Sequence, residues 1–137
     1  MKGKELLDAY PKIAIVIKEW FTTKMLESMS DKDDIPEDFK KHILERGVAD
    51  DMIANIIDKN PAALFEIFDS LHVYIGIVID KLPETEQVVF NYYICPKGKC
   101  LDTSPENFLN RKDVEHYAML AVVEYIDNNF DEFNIKN

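Results

Sequence analysis

"LHVYIGIVIDKLPETEQVVFNYYIC", residues 71–95, decides which fold this chain adopts. Read at helical spacing, Leu64, Phe68, Leu71, Ile75, Val78 and Leu82 form a heptad-like stripe. Read as strands, "HVYIGIVID" (72–80) and "EQVVFNYYIC" (86–95) are two runs of nearly equal length, dense in β-branched and aromatic residues. Between them stands "KLPET", with a proline among polar residues. The spacing predicts an antiparallel β-hairpin, with an all-α bundle as the alternative. Gly76 is unfavourable in the middle of either element. Strand alternation puts Val89, Asn91 and Tyr93 on one face and Val88, Phe90, Tyr92 and Ile94 on the other.

The flanks read as helices. Upstream, Pro11 suits a first helical turn, and Ile13, Val16, Ile17, Trp20, Phe21 and Met25 recur at helical spacing to about residue 29. Pro36 opens a second helix that Gly47 ends, and Asp50 or Asp51 caps a short third. Asn60-Pro61 starts a fourth, with Leu64, Phe65 and Phe68 inward. Before the last helix, either Ser104-Pro105 caps a helical turn or Asn107–Leu109 adds a short third strand. Downstream, a long helix is predicted over about 111–130. Val114, Tyr117, Ala118, Ala121, Val122 and Tyr125 form one stripe, and Met119, Val123, Ile126 and Phe130 a second. A helix so broadly apolar must be covered on two sides, either within the chain or by a second copy. The expected class is therefore α+β: a helical N-terminal half, a central hairpin and a long C-terminal helix, in a single domain over 1–137.

Composition narrows the function classes. The chain has 137 residues, 47% hydrophobic and 31% charged, with a formal net charge of −10. That balance fits a globular domain that needs no metal or disulfide for stability. The negative charge and only two arginines, Arg46 and Arg111, argue against direct nucleic-acid binding. They allow a basic protein partner. No apolar run approaches the roughly 20 residues of a membrane span. The charged start Met1-Lys2-Gly3-Lys4-Glu5 is unlike a signal peptide, so a cytoplasmic site with reduced thiols is expected.

Cys95 and Cys100 bracket "PKGK". Their C-x4-C spacing sits at the edge of the zinc range and lacks a second pair, and it is not the C-x-x-C redox arrangement. His116 is the one histidine placed to approach that loop. The expectation is a turn after a strand, with Cys95 packed as a small apolar residue. Cys95, Cys100 and His116 are kept as candidate metal ligands, and the two cysteines as candidate reactive or disulfide-forming thiols. "DKDDIPED" gathers Asp31, Asp33, Asp34, Glu37 and Asp38, but Pro36 and His42 stand where a calcium loop needs Gly and Glu. There is no Gly-rich phosphate loop, H-E-x-x-H or G-x-S-x-G. No catalytic residue or cofactor is assigned. Tyr74 and Tyr93, should their sheet face be open, form a sticky surface, and Met119, Val123 and Phe130 provide the second face of the last helix.

Two resemblances carry expectations. "LPETEQVVFNYYI" (82–94) resembles the opening of a sigma-factor region 4 or phage late-gene regulator, which implies a helix leading to a basic recognition helix. The helix that follows here, "RKDVEHYAMLAVVEYIDNNF", is acidic and apolar instead. The run from "NPAALFEIFDSLHVYIGIVID" through "VVFNYYI" to "FLNRKDVEHYAMLAVVEYI" is similar to small uncharacterised phage and mobile-element proteins of bacteria. These end in an R-x-x-x-E-x-x-A helix, matched by Arg111, Glu115 and Ala118, and the resemblance implies a fold without a site. The favoured function is a non-enzymatic acidic accessory protein that binds a protein partner or, as a homodimer, itself. A transcription-associated regulator of the region-4 kind and a small metal- or thiol-dependent enzyme at Cys95 and Cys100 are the alternatives.

Overall fold

A computed structural model describes residues 2–30, 34–97, 99 and 106–133. The chain divides into two compact units, Met1–Lys59 and Asn60–Asn137.

The first unit holds four helices: α1 (Gly3–Ala9), α2 (Pro11–Met29), α3 (Glu37–Arg46) and α4 (Asp50–Lys59). Pro11 opens α2, where its missing N–H costs nothing. Helix α1 packs on α2 and α4, and α2 on α3 and α4. Gly3 explains how α1 and α4 approach so closely. A Cβ there would run into the backbone of Ala54, and the Gly3 amide donates to Asp58 Oδ1 at 2.7 Å. Gly47 ends α3 with φ 77° and ψ 180°, a region open essentially only to glycine. Its amide donates to the Ile43 carbonyl at 2.8 Å. The next amide, of Val48, donates to Thr22 Oγ1 at 3.0 Å and ties the connection to α2. Leu6, Ile13, Ile17, Ile53 and Ile57 are fully or almost fully buried.

The second unit carries the sheet. A short 3-10 turn, Pro61–Leu64, runs into α5 (Phe65–Ser70), with Leu64, Ile67 and Phe68 buried. His72 then turns the chain at φ 61° into β1 (Val73–Lys81), which pairs antiparallel with β2 (Val88–Pro96). Helix α6 (Arg111–Asn128) and a closing 3-10 turn, Phe130–Phe133, follow. The hairpin reading of 71–95 therefore holds, and the all-α alternative does not. The likeness of 82–94 to a region-4 helix is likewise corrected, because these residues form the hairpin connection and most of β2. Here the propensity of Val88, Val89, Phe90, Tyr92 and Tyr93 outweighs the proline-initiated pattern. The third strand considered at 107–109 is a single bridge, Phe108 to Phe90, and the Ser104-Pro105 cap lies outside the described residues.

Helix α6 begins at Asn110, whose side chain accepts from the Asp113 amide at 2.8 Å and donates to Asp113 Oδ2 at 2.9 Å. The first bond satisfies one of the amides that a helix start leaves open, and the second locks the two side chains together. Both α6 stripes are covered: Val114, Ala118, Met119, Val122, Val123 and Ile126 have no exposed surface. Tyr117 departs from its expected inward stripe and is 49% exposed, its ring lying 5.0 Å from that of Phe108.

Candidate functional site

The hairpin places its two faces and its two edges differently. Paired residues share a face, so Val73, Ile75, Ile77 and Ile79 lie with Pro96, Ile94, Tyr92 and Phe90. This face turns to α6. The Arg111 guanidinium sits 5.5 Å over the Phe90 ring, and the Phe108 ring stands 6.2 Å from Tyr92 and 5.0 Å from Tyr117. Burial pushes the Tyr92 phenol pKa up.

The other face carries Tyr74, Gly76 and Val78 beside Cys95, Tyr93 and Asn91. Two predicted surface residues, Tyr74 and Tyr93, lie on this face, opposite Cys95 and Gly76 respectively. Gly76 is the slot for the Tyr93 ring: a Cβ on Gly76 would collide with the ring and its hydroxyl. The position that looked unfavourable from sequence is thus required by a cross-strand aromatic. Tyr74 is 44% exposed and its hydroxyl lies 3.1 Å from His72 Nδ1. Val78 on this face is also exposed, as is Ile79 on the first face, near the hairpin's far end.

The edges follow from hydrogen-bond phase. Phe90 exchanges both its backbone bonds with Phe108, N–H to O at 2.7 Å and O to N–H at 2.9 Å. Its groups therefore point away from β1, so Phe90 and Ile79 form a non-hydrogen-bonded pair. The Lys97 amide donating to His72 and the Leu82 amide donating to Gln87 fix the same phase at both ends. Alternation then aims the N–H and C=O of Ile75, Ile77 and Ile79 outward from β1. Among the described residues none of these groups has a recorded partner beyond the sheet. Pro96 stands opposite Val73 in the same outward phase, where its missing N–H removes no bond to β1. This edge, unpaired among the described residues, was missed in the sequence. Its signal was the run Val73–Ile79, which holds no charge, proline or lysine to blunt it.

The remaining candidates fall elsewhere. Met119 and Val123 are fully buried and Phe130 is 9% exposed, which corrects their reading as surface anchors. The fold covers the second stripe of α6 within the chain, so that stripe offers no face to a partner. Cys95 is buried and disulfide-bonded, which differs from the expected reduced thiol packed in a turn. Its sulfur is not available as a thiolate ligand in this state. Cys100, the chain's other cysteine, and the metal reading that needs it lie outside the described residues. His116 on α6 stands edge-on to Tyr117 at 5.8 Å. No group of three His, Cys, Asp or Glu side chains able to hold a metal occurs among the described residues. Of the acidic loop, Asp31 and Asp33 also lie outside them, and Glu37 pairs with Lys40 at 3.6 Å. A shallow groove of about 600 Å³ runs between α2 and α3, lined by Ile15, Leu26 and Leu44 together with charges of both signs from Lys18, Glu19 and Arg46. No helix among the described residues is long and apolar enough to cross a membrane.

No protein-family model, curated protein or solved structure matches the chain.

Proposed function

We propose that this chain is a non-enzymatic interaction protein, an accessory factor of the phage or mobile-element kind, that works by presenting its hairpin to a protein partner or to itself. The observation that supports this reading is the coincidence, on one strand, of outward backbone groups at Ile75, Ile77 and Ile79 with exposed Tyr74, Val78 and Ile79. An extended segment gains main-chain hydrogen bonds at such an edge and specificity from alternate side chains. The net charge of −10 steers basic surfaces toward the chain and repels nucleic acid.

The test is covalent capture by the intact protein carrying a photocrosslinker at Val78, in a cell extract and in pure solution, compared with the same protein bearing Ile79→Lys. A defined adduct lost in the variant is expected. Equal adducts in both proteins, or none in either setting, overturn the reading. The disulfide at Cys95 is the one observation on the side of thiol chemistry. On the interaction reading, Cys95→Ser leaves the adduct in place.

A further inference from the structure

We infer that the β1 edge is occupied by the β1 strand of a second copy, paired antiparallel about a two-fold axis at Ile77; this rests on the interaction reading and names its partner. The occupant must bring an uncharged extended segment with its own unmet backbone groups, and the chain itself supplies one. Residues outward on β1 must pair with residues outward on the partner strand. That phase allows a register in which Ile77 faces Ile77 and Ile75 faces Ile79 across the axis; at its ends Val73 stands opposite Lys81, whose amide already donates to Asp80 Oδ1 at 2.8 Å and adds no ladder bond. All nine residues of β1, Val73–Lys81, then overlap, and the two hairpins form one four-stranded sheet.

The side chains agree with this register. Between the hydrogen-bonded pairs it sets Gly76 against Val78 of the second copy, a small residue against a branched one. It sets Tyr74 against Asp80, a phenol against a carboxylate. Asp80 and Lys81 lie toward opposite ends of the joint from their own symmetry mates, so like charges never face each other. The acidic character of unit Asn60–Asn137, with thirteen acidic and six basic residues, repels a second copy over most surfaces. The seven residues Val73–Ile79 carry no charge and escape that repulsion. Association through them should therefore tighten as salt rises, the opposite of capture of a basic partner.

Sedimentation of the full chain over a concentration series tests this. The expected result is a monomer–dimer equilibrium, strengthened by added salt. Ile79→Pro removes an outward amide and no β1–β2 bond, and it should shift the wild-type dimer to monomer mass with an unchanged circular dichroism spectrum. Should that variant fail to fold, Ile79→Lys at the same 56% exposed position gives the same readout. The register has its own test. Tyr74 and Asp80 of two copies form a non-hydrogen-bonded pair, whose Cα atoms stand roughly 4.5 Å apart, within disulfide reach. The double variant Tyr74→Cys/Asp80→Cys should give a covalent dimer on a non-reducing gel, which neither single variant gives. A wild-type protein monomeric at every concentration, or a dimer that survives Ile79→Pro or Ile79→Lys in a folded chain, overturns the inference. A monomer that still yields the Val78 adduct leaves the interaction reading standing and gives the edge to a foreign strand.

Discussion

Gly76 and Tyr93 act as one unit. A methyl group at Gly76 has no room unless the Tyr93 ring leaves the strand. Gly76→Ala is expected to lower stability by about 1–3 kcal/mol, the usual range for overpacking, as read from urea unfolding. Gly76→Ala in a Tyr93→Ala background should cost much less than in wild type, because the clash is gone. Tyr92 supplies a pH signature. Burial raises its pKa above the ordinary 10.0, so the folded chain holds the phenolic proton more tightly than the unfolded chain does. Stability from this group is complete below the unfolded value of about 10 and is lost as pH climbs through the higher folded value. Tyr92→Phe should therefore flatten the alkaline fall in the unfolding midpoint; an identical fall in both proteins would refute the assignment.

At the scale of elements, the stops matter as much as the runs. Gly47 holds a backbone conformation that L side chains rarely adopt, and the following amide reaches Thr22. Gly47→Ala should cost about 1–3 kcal/mol in denaturant unfolding. Helices α2, α3, α4 and α6 were legible because Pro11, Gly47, Asp50 and the apolar stripes mark their ends and faces locally. The hairpin was legible because its two runs are so rich in branched and aromatic residues. The phase of the ladder was not, since it depends on which residue Phe108 bridges, a contact across the loop. Equally hidden was the coverage of Met119 and Val123. A second apolar stripe on a helix reads the same whether the chain or another molecule buries it. Gly76 shows the converse: a local cost stayed unexplained until the opposing strand put Tyr93 over it.

For the whole molecule, charge is unevenly spread. Met1–Lys59 carries thirteen acidic and ten basic residues, whereas Asn60–Asn137 carries thirteen and six. Ion pairs such as Lys18 with Asp50 at 3.4 Å and Lys81 with Glu86 at 3.8 Å are solvent-accessible, and each contributes little. Net repulsion should dominate over them. Moderate salt is expected to raise the thermal midpoint of Ile79→Lys, followed by scanning calorimetry; a lower midpoint would mean that attractive pairs prevail. The hairpin's two sides also set the size of what it can build. Phe108 has taken the outer amide and carbonyl of Phe90, so at that point the β2 side is already spoken for. Strands with two vacant sides recruit without end and grow into filaments, whereas a vacancy on one side is filled by the first arrival. A bridge one residue long thereby favours a finished pair over a growing fibre.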